Sequence, residues 1–334
     1  MRSTEDTTVS RKVISVATSC FNERENIPVF YDRVRAALAE FPEYDYEFVV
    51  ADNCSADGTR EVLRELAAKD ENFRVILNAN NFGHIRSPFN ALLNTSGDVV
   101  FYLCSDLQEP PETLHDFMAK YREGYKVVCG VRSGTRSNAF METLRKFYYY
   151  LLGKASPGER IIPRFTGFGL YDRAFIDALR RFHDPYPYFR GLVSEIGFRR
   201  AEVEFVQAER IHGRTKNDFF SLYDMAMTGF VNHTRLPLRM AVFTGFALGA
   251  ASLLVAFGYL IAKLVRWNTF QLGMAPLVIG MFFLGAVQLF FIGVIGEYLG
   301  AVWTQVKDRP LAIEEERLNF EPSEDAEDEK PRNA

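Results

Sequence analysis

Two long stretches without a single charge decide most of what this chain can fold into. Met240 to Ala262 reads MAVFTGFALGAASLLVAFGYLIA, and Leu272 to Gly296 reads LGMAPLVIGMFFLGAVQLFFIGVIG. Each exceeds the ~20 residues that a helix needs to cross ~30 Å of hydrocarbon. The alternative, a pair of buried core helices, fits two uncharged runs of this length poorly. The link KLVRWNTFQ between them supplies Trp267 as an interfacial anchor. Arg235 and Arg239 precede the first run, and Lys307 and Arg309 follow the second, against Lys263 and Arg266 in the link. That bias predicts both termini on the cytoplasmic side. The first ten residues, MRSTEDTTVS, carry no apolar core of a secretory signal, which predicts the same orientation.

The remainder reads as a soluble domain. With 334 residues and a net charge of −4, the chain has no basic excess of the kind that nucleic-acid binding requires. Its acidity is concentrated from Glu314 to Ala334, EEERLNFEPSEDAEDEKPRNA, where apolar residues are few and disorder is expected. Cys20, Cys54, Cys104 and Cys129 show no metal-binding or disulfide spacing and read as reduced thiols.

From residue 11 to about 130, short β-branched and aromatic runs alternate with helical patterns. KVISVATS, YEFVVAD, FRVILN, VVFYLC and KVVCGV predict strands. RENIPVFYDRVRAALAEF, ADGTREVLRELAAKD and PPETLHDFMAKYREG predict helices. Such alternation implies an α/β domain with a mostly parallel sheet, and ligands then sit beyond the carboxyl ends of the strands. AEVEFV predicts one more strand, and Arg136 to Leu152 a helix. The expected division is a disordered lead over 1–10, a globular domain over 11–217 and an amphipathic juxtamembrane helix over 218–239. Membrane spans follow at 240–262 and 272–296, then a juxtamembrane segment over 297–313 and a disordered tail over 314–334. For 218–239, a core helix of the globular domain fits equally well.

Polar groups gather where the ligand rule places them. SCFNE follows the first strand and offers Asn22 and Glu23. ADNCSADGT follows the second and offers Asp52, Asn53 and Ser55, with Asp57 suited to capping the next helix. CSDLQEPPE follows the fourth. There Asp106 and Gln108 either supply an oxygen half-site for Mg²⁺ or Mn²⁺, or Asp106 caps the helix that the prolines begin. Downstream, Arg132, Arg136 and Arg145 suit bidentate phosphate binding. Arg210, Arg214 and Lys216 surround Gly213 in a basic loop suited either to closing over a diphosphate or to touching anionic lipid.

FNERENI, NNFGH, SDLQEPPE, TGFGLYD, FRGLVSEIGF, RIHGRTK and GVIGEYLGAVWTQVKDRPL together resemble the family-2 glycosyltransferases of the GT-A fold. More narrowly, they are similar to the polyprenyl-phosphate glycosyltransferases, a group that includes dolichol-phosphate mannose synthase and bactoprenol glucosyltransferases. The resemblance runs from Val13 to Leu311. It implies a GT-A (Rossmann-like) cytosolic domain followed by a two-helix transmembrane hairpin in the inner membrane. The implied reaction is inverting transfer from a nucleoside-diphosphate sugar, a UDP-sugar among bacterial-looking relatives, to polyprenyl phosphate, there undecaprenyl phosphate. It assigns Asp52 to the base and Asp106 with Gln108 to Mg²⁺ or Mn²⁺. Arg132 and Arg145 go to the acceptor phosphate, and Lys216 to a closing loop. Three positions depart from the pattern. Cys104 replaces the first metal carboxylate, Asn53 the second aspartate of its loop, and Gly169 an arginine, a change that with Thr166 implies a different donor sugar. The rival reading is a non-catalytic membrane adapter or lipid-binding descendant. A processive polysaccharide synthase needs more spans and a Gln-x-x-Arg-Trp motif that this chain lacks. Small residues along GVIGEYLG would also let the second span pack against another copy.

Overall fold

The sheet orders its strands β7-β5-β6-β4-β1-β2-β3-β8 in a computed structural model that describes residues 11–133, 162–208, 236–265, 274–307 and 309–321. The strands are β1 (Lys12–Cys20), β2 (Tyr44–Asp52), β3 (Phe73–Asn78), β4 (Val99–Tyr102), β5 (Val127–Arg132), β6 (Phe165–Asp172), β7 (Arg200–Phe205) and β8 (Glu314–Leu318). β6 runs antiparallel between β4 and β5, and β8 runs antiparallel on the edge of β3; the other pairings are parallel. β1 and β2 are buried almost without interruption, because helices cover both faces of a parallel sheet.

One face receives α1 (Asn26–Leu38), α2 (Thr59–Lys69) and α4 (Leu114–Arg122). Their Phe30, Val34, Leu63 and Phe117 join Phe48, Phe73 and Phe101 of the sheet in one cluster. The other face receives α3 (Gly83–Leu93), α5 (Arg173–Leu179) and α6 (Phe189–Ile196), which contribute Phe89, Leu92, Phe175 and Leu192. α1, α2 and α4 follow the expected patterns. α3 and β6 were not expected. Gly83 and an internal Pro88 break the helical signature of α3, and β6 carries two glycines in eight residues.

The chain divides into two compact units, one holding residues 1–145, 159–217 and 308–334, the other 146–158 and 218–307. The second contains α7 (Leu236–Val265) and α8 (Met274–Val306), of 30 and 33 residues. Among the described residues Phe283–Val306 is long and apolar enough to cross a membrane, and Met240–Ser252 is a shorter apolar stretch. α8 continues ten residues beyond the expected end of the second span, at Gly296. No proline follows until Pro310, and Tyr298, Leu299, Val302 and Trp303 keep the segment mostly apolar.

The expectation of a disordered tail from Glu314 is corrected over its first residues. Glu314–Leu318 pairs with β3, and its acids meet bases: Glu315 with Arg60 at 2.8 Å and Glu316 with Arg64 at 2.7 Å. Composition alone suggests a solvated tail, but Glu315 and Glu316 here have partners on α2, beside the sheet edge. The remaining expectations on 1–10, 218–235 and 322–334, the Arg136–Leu152 helix and Trp267 lie outside the described residues.

Candidate active site

Four loops meet at the carboxyl edge of the sheet, and left-handed backbone marks three of them. Asn22 after β1, Cys54 after β2 and Leu107 after β4 have φ of 57°, 63° and 58°. Non-glycine residues persist in that region where surrounding bonds hold them, and such sites cluster where ligands bind.

Those bonds lace the first three loops together. Asn22 accepts from the Ala56 amide at 2.9 Å, and its own amide donates to Ser55 Oγ at 2.8 Å. The Glu23 amide donates to Thr59 Oγ1 at 2.9 Å. Asn53 Nδ2 donates to Asn81 Oδ1 at 2.7 Å, and Asn53 Oδ1 accepts from the Phe82 amide at 2.7 Å. An aspartate at 53 could not donate to Asn81, so the amide has a stated use here. Asp57 accepts from the Thr59 amide at 3.1 Å and so tethers the first turn of α2.

Asp52 lies beneath this lattice with its side chain fully buried. Its Oδ2 accepts from the Ser55 amide at 3.0 Å and from Arg60 Nε at 2.9 Å. From that position it fixes the turn that carries Ser55.

The fourth loop leaves β4 at Tyr102. Asp106 is 8 % exposed, and its Oδ1 accepts from the Gln108 amide at 3.2 Å, so the carboxylate and amide side chains start from one tight turn. A carboxylate and an amide oxygen are hard donors, and Mg²⁺ or Mn²⁺ commonly takes only one or two protein ligands, the rest coming from phosphates and water. The pair fits such a half-site. Cys104 adds little to it. It is a soft, exposed thiol, poorly matched to these hard cations. Among the described residues no group of three or more His, Cys, Asp or Glu side chains could hold a metal.

Glu109 is the residue of this loop that the sequence did not single out. Its carboxylate is buried, accepts from the Cys104 amide at 2.9 Å and from Thr166 Oγ1 at 2.7 Å, and braces the turn that presents Asp106. Burial and then Asp106 raise its pKa against those hydrogen bonds. The charge of Arg132, at the carboxyl end of β5, lowers it. Arg132 Nε is enclosed and has no hydrogen-bond partner among the described residues.

Ala208, just after β7, donates its amide to the Gln108 carbonyl at 3.0 Å. Ala208, the last described residue before the basic segment, therefore lies at the Asp106 loop. Arg210, Arg214 and Lys216 themselves, like Arg136 and Arg145, lie outside the described residues. Sequence reasoning also passed over Arg60, His84 and Arg86. Burial and then the Arg190 charge hold His84 below its ordinary pKa, and the Arg86 guanidinium donates to the Pro310 carbonyl.

The structure gives Gly169 a different reason from donor choice. A Cβ built there would fall on the Val128 carbonyl oxygen inside van der Waals contact. Thr166 is engaged by Glu109. Gly169→Ala is expected to cost about 1–3 kcal/mol as an overpacked site, read as a melting temperature lowered by roughly 3–10 °C. An unchanged melting temperature with an altered donor preference would reverse this assignment.

With this geometry, the comparisons with known proteins are decisive for the class. The family model for glycosyl transferase family 2 matches residues 15–182. An uncharacterized glycosyltransferase of Bacillus subtilis (strain 168), YkcC, is 32% identical over 92% of this chain and 94% of its own. The SfII prophage-derived bactoprenol glucosyl transferase of Shigella flexneri is 31% identical over 90% of this chain and 96% of its own. A solved structure, glucosyl-3-phosphoglycerate synthase from Mycobacterium tuberculosis in complex with Mg²⁺ and UDP, is 21% identical with a TM-score of 0.48. It covers 66% of this chain and 77% of that one. The chain belongs to glycosyl transferase family 2 and is a glycosyltransferase.

Proposed function

We propose that the protein transfers a sugar, with inversion, from a nucleoside-diphosphate sugar to polyprenyl phosphate at the cytosolic face of the inner membrane. The donor is read as a UDP-sugar and the acceptor as undecaprenyl phosphate. The observation that carries this reading is the junction at Gln108. One turn presents Asp106 and Gln108, Glu109 braces it, and Ala208, just ahead of the basic segment in sequence, bonds to its backbone. Similarity to bactoprenol glucosyl transferases over most of both chains supports the lipid acceptor. α7 and α8 are read as the hairpin that keeps the domain at the bilayer, with both termini cytosolic.

The laced loops after β1, β2 and β3 hold the nucleotide, with Asn22, Glu23, Asn53 and Ser55 at their rim and Asp52 setting them from beneath. Asp106 and Gln108 would hold Mg²⁺ or Mn²⁺, whose chemistry there is to neutralise charge on the departing diphosphate. Arg132, with Arg136 and Arg145, orients the acceptor phosphate; Arg210, Arg214 and Lys216 close over the leaving group. A phosphate monoester with a second pKa of about 6 is largely a dianion at neutral pH. The nucleophile therefore needs no protein base, and catalysis is positioning and electrostatics.

The test is binding of UDP and GDP to detergent-solubilised protein with and without Mg²⁺ or Mn²⁺, followed by transfer of labelled glucose from its nucleotide to undecaprenyl phosphate. Metal-dependent UDP binding and a charged, glycosylated lipid are expected. No nucleotide binding under any condition would overturn the transferase reading for this chain and favour an adapter that has lost its chemistry.

A further inference from the structure

β8 does more than cover a sheet edge. It is locked at both ends. Ala79 donates its amide to the Ile313 carbonyl at 2.9 Å, and Asn90 Nδ2 donates to Glu314 at 2.9 Å. Beyond it, Asn319 Nδ2 donates to the carbonyls of Ala67, Asp70 and Phe73 at 2.7, 3.1 and 3.0 Å. Between these anchors two acid–base pairs bridge β8 to α2, and they differ in what lies behind them.

Arg64, 44 % exposed, meets Glu316 at the surface. Arg60 is only 17 % exposed and carries three bonds on one guanidinium. Its Nη1 donates to Glu315 at 2.8 Å, its Nη2 to the Asn78 carbonyl at 2.5 Å and its Nε to Asp52 at 2.9 Å. A planar guanidinium cannot turn one donor without turning the others. Asp52 in turn holds the Ser55 amide, and Ser55 Oγ accepts from the Asn22 amide. An unbroken chain of bonds thus runs from the strand that follows α8 in sequence to the loops after β1 and β2.

We propose that Glu315 and Arg60 are positioning residues of the nucleotide site: strand β8 fixes the Arg60 fork, the fork fixes Asp52, and Asp52 fixes the Asn53–Gly58 loop. This rests on the reading of those loops as the nucleotide site. The outer member is the weak one, because Glu315 is 58 % exposed and an exposed ion pair contributes little by itself. Its effect is orientation of a buried fork. Burial disfavours the Arg60 charge, yet the bonds to Glu315 and Asp52 prevail and hold its proton more tightly than in an ordinary arginine.

Full-length protein in detergent carrying Glu315→Gln, Arg60→Lys or, as a matched control on the same strand, Glu316→Gln distinguishes the outcomes. Melting temperature, amide hydrogen exchange over residues 53–58 and UDP affinity with Mg²⁺ are measured on each. Glu315→Gln is expected to weaken UDP binding about three- to fivefold and to speed exchange in that loop, and Arg60→Lys to do both more strongly. Glu316→Gln should match Glu315→Gln in melting temperature and leave affinity and loop exchange at native values. Equal effects of Glu315→Gln and Glu316→Gln on affinity and exchange would make β8 a plain edge cover and overturn the proposal. Failure of the unsubstituted protein to bind UDP or GDP overturns the nucleotide reading beneath it, and is recognised because it precedes any substitution.

Discussion

Asp106→Asn is expected to lower sugar transfer by at least about 10²–10³-fold while leaving the melting temperature within about 2 °C of native. The two halves of that result come from different atoms. Asparagine keeps the Oδ1 that accepts from the Gln108 amide, and the left-handed Leu107 that follows needs no change. The turn should therefore form as before. What disappears is the one negative charge that the fourth loop presents next to Gln108, with Glu109 enclosed behind it. If Asp106 holds a divalent cation against the diphosphate, losing that charge removes stabilisation where the transition state is most charged. Transfer is read as label moved from nucleotide to polyprenyl phosphate, and folding as the melting curve of the same sample. Native turnover by Asp106→Asn would remove the metal role from Asp106. A large drop in melting temperature would make it a structural brace of its own turn instead, since the helix that follows begins at Pro111 without a side-chain cap.

The Asp106 loop also shows where the sequence was readable and where it was not. Its apolar strand, terminal acid and prolines are local, and local patterns predicted β4, the turn and α4 correctly. The same holds for β1, β2, β3 and β5, whose buried runs reflect a sheet covered on both faces. What escaped was set by partners distant in sequence. Glu109 looks like a helix-start acid until Thr166 is brought to it from the start of β6. Arg60 looks like a surface residue of α2 until Glu315 arrives from far down the chain. Gly169 looks like a missing arginine until the Val128 carbonyl occupies the space that its side chain would need. The acidic segment after Glu314 was misjudged for the same reason. Composition reports the charge of a segment and cannot report that Arg60 and Arg64 of α2 wait to meet it.

Glu47 is the extreme case, and its removal should have the largest effect on stability. In YEFVVAD it reads as an outward-facing strand residue, yet its side chain is 4 % exposed. It sits near the start of β2, at the opposite edge of the sheet from the candidate site, where β1 and β4 also begin. It accepts from Ser15 Oγ, from the Ser96 amide and hydroxyl, from the Gly97 amide at 3.1 Å and from Arg74 Nη1. Gly97 is required there, because a Cβ would collide with Ser15 Oγ and approach the Val13 carbonyl at 2.7 Å. Glu47→Ala strips the acceptor from all these donors and leaves Arg74 without its carboxylate. A broken buried pair of this kind costs about 3–5 kcal/mol, a large part of the ~5–15 kcal/mol that holds a native domain. The melting temperature should fall by roughly 10 °C. Burial raises the Glu47 pKa, but the bonds from Ser15 and Ser96 and the charge of Arg74 outweigh it, so the folded value lies below the ordinary one. A depressed carboxyl contributes stability that is present above its unfolded pKa of roughly 4.3 and lost as pH falls through its folded value. Glu47→Gln should remove that part of the acid limb. Nucleotide affinity should be unchanged in whatever fraction stays folded, since the loops it braces lie at the far edge. An acid limb equally steep in Glu47→Gln and native protein would assign the loss to other carboxylates.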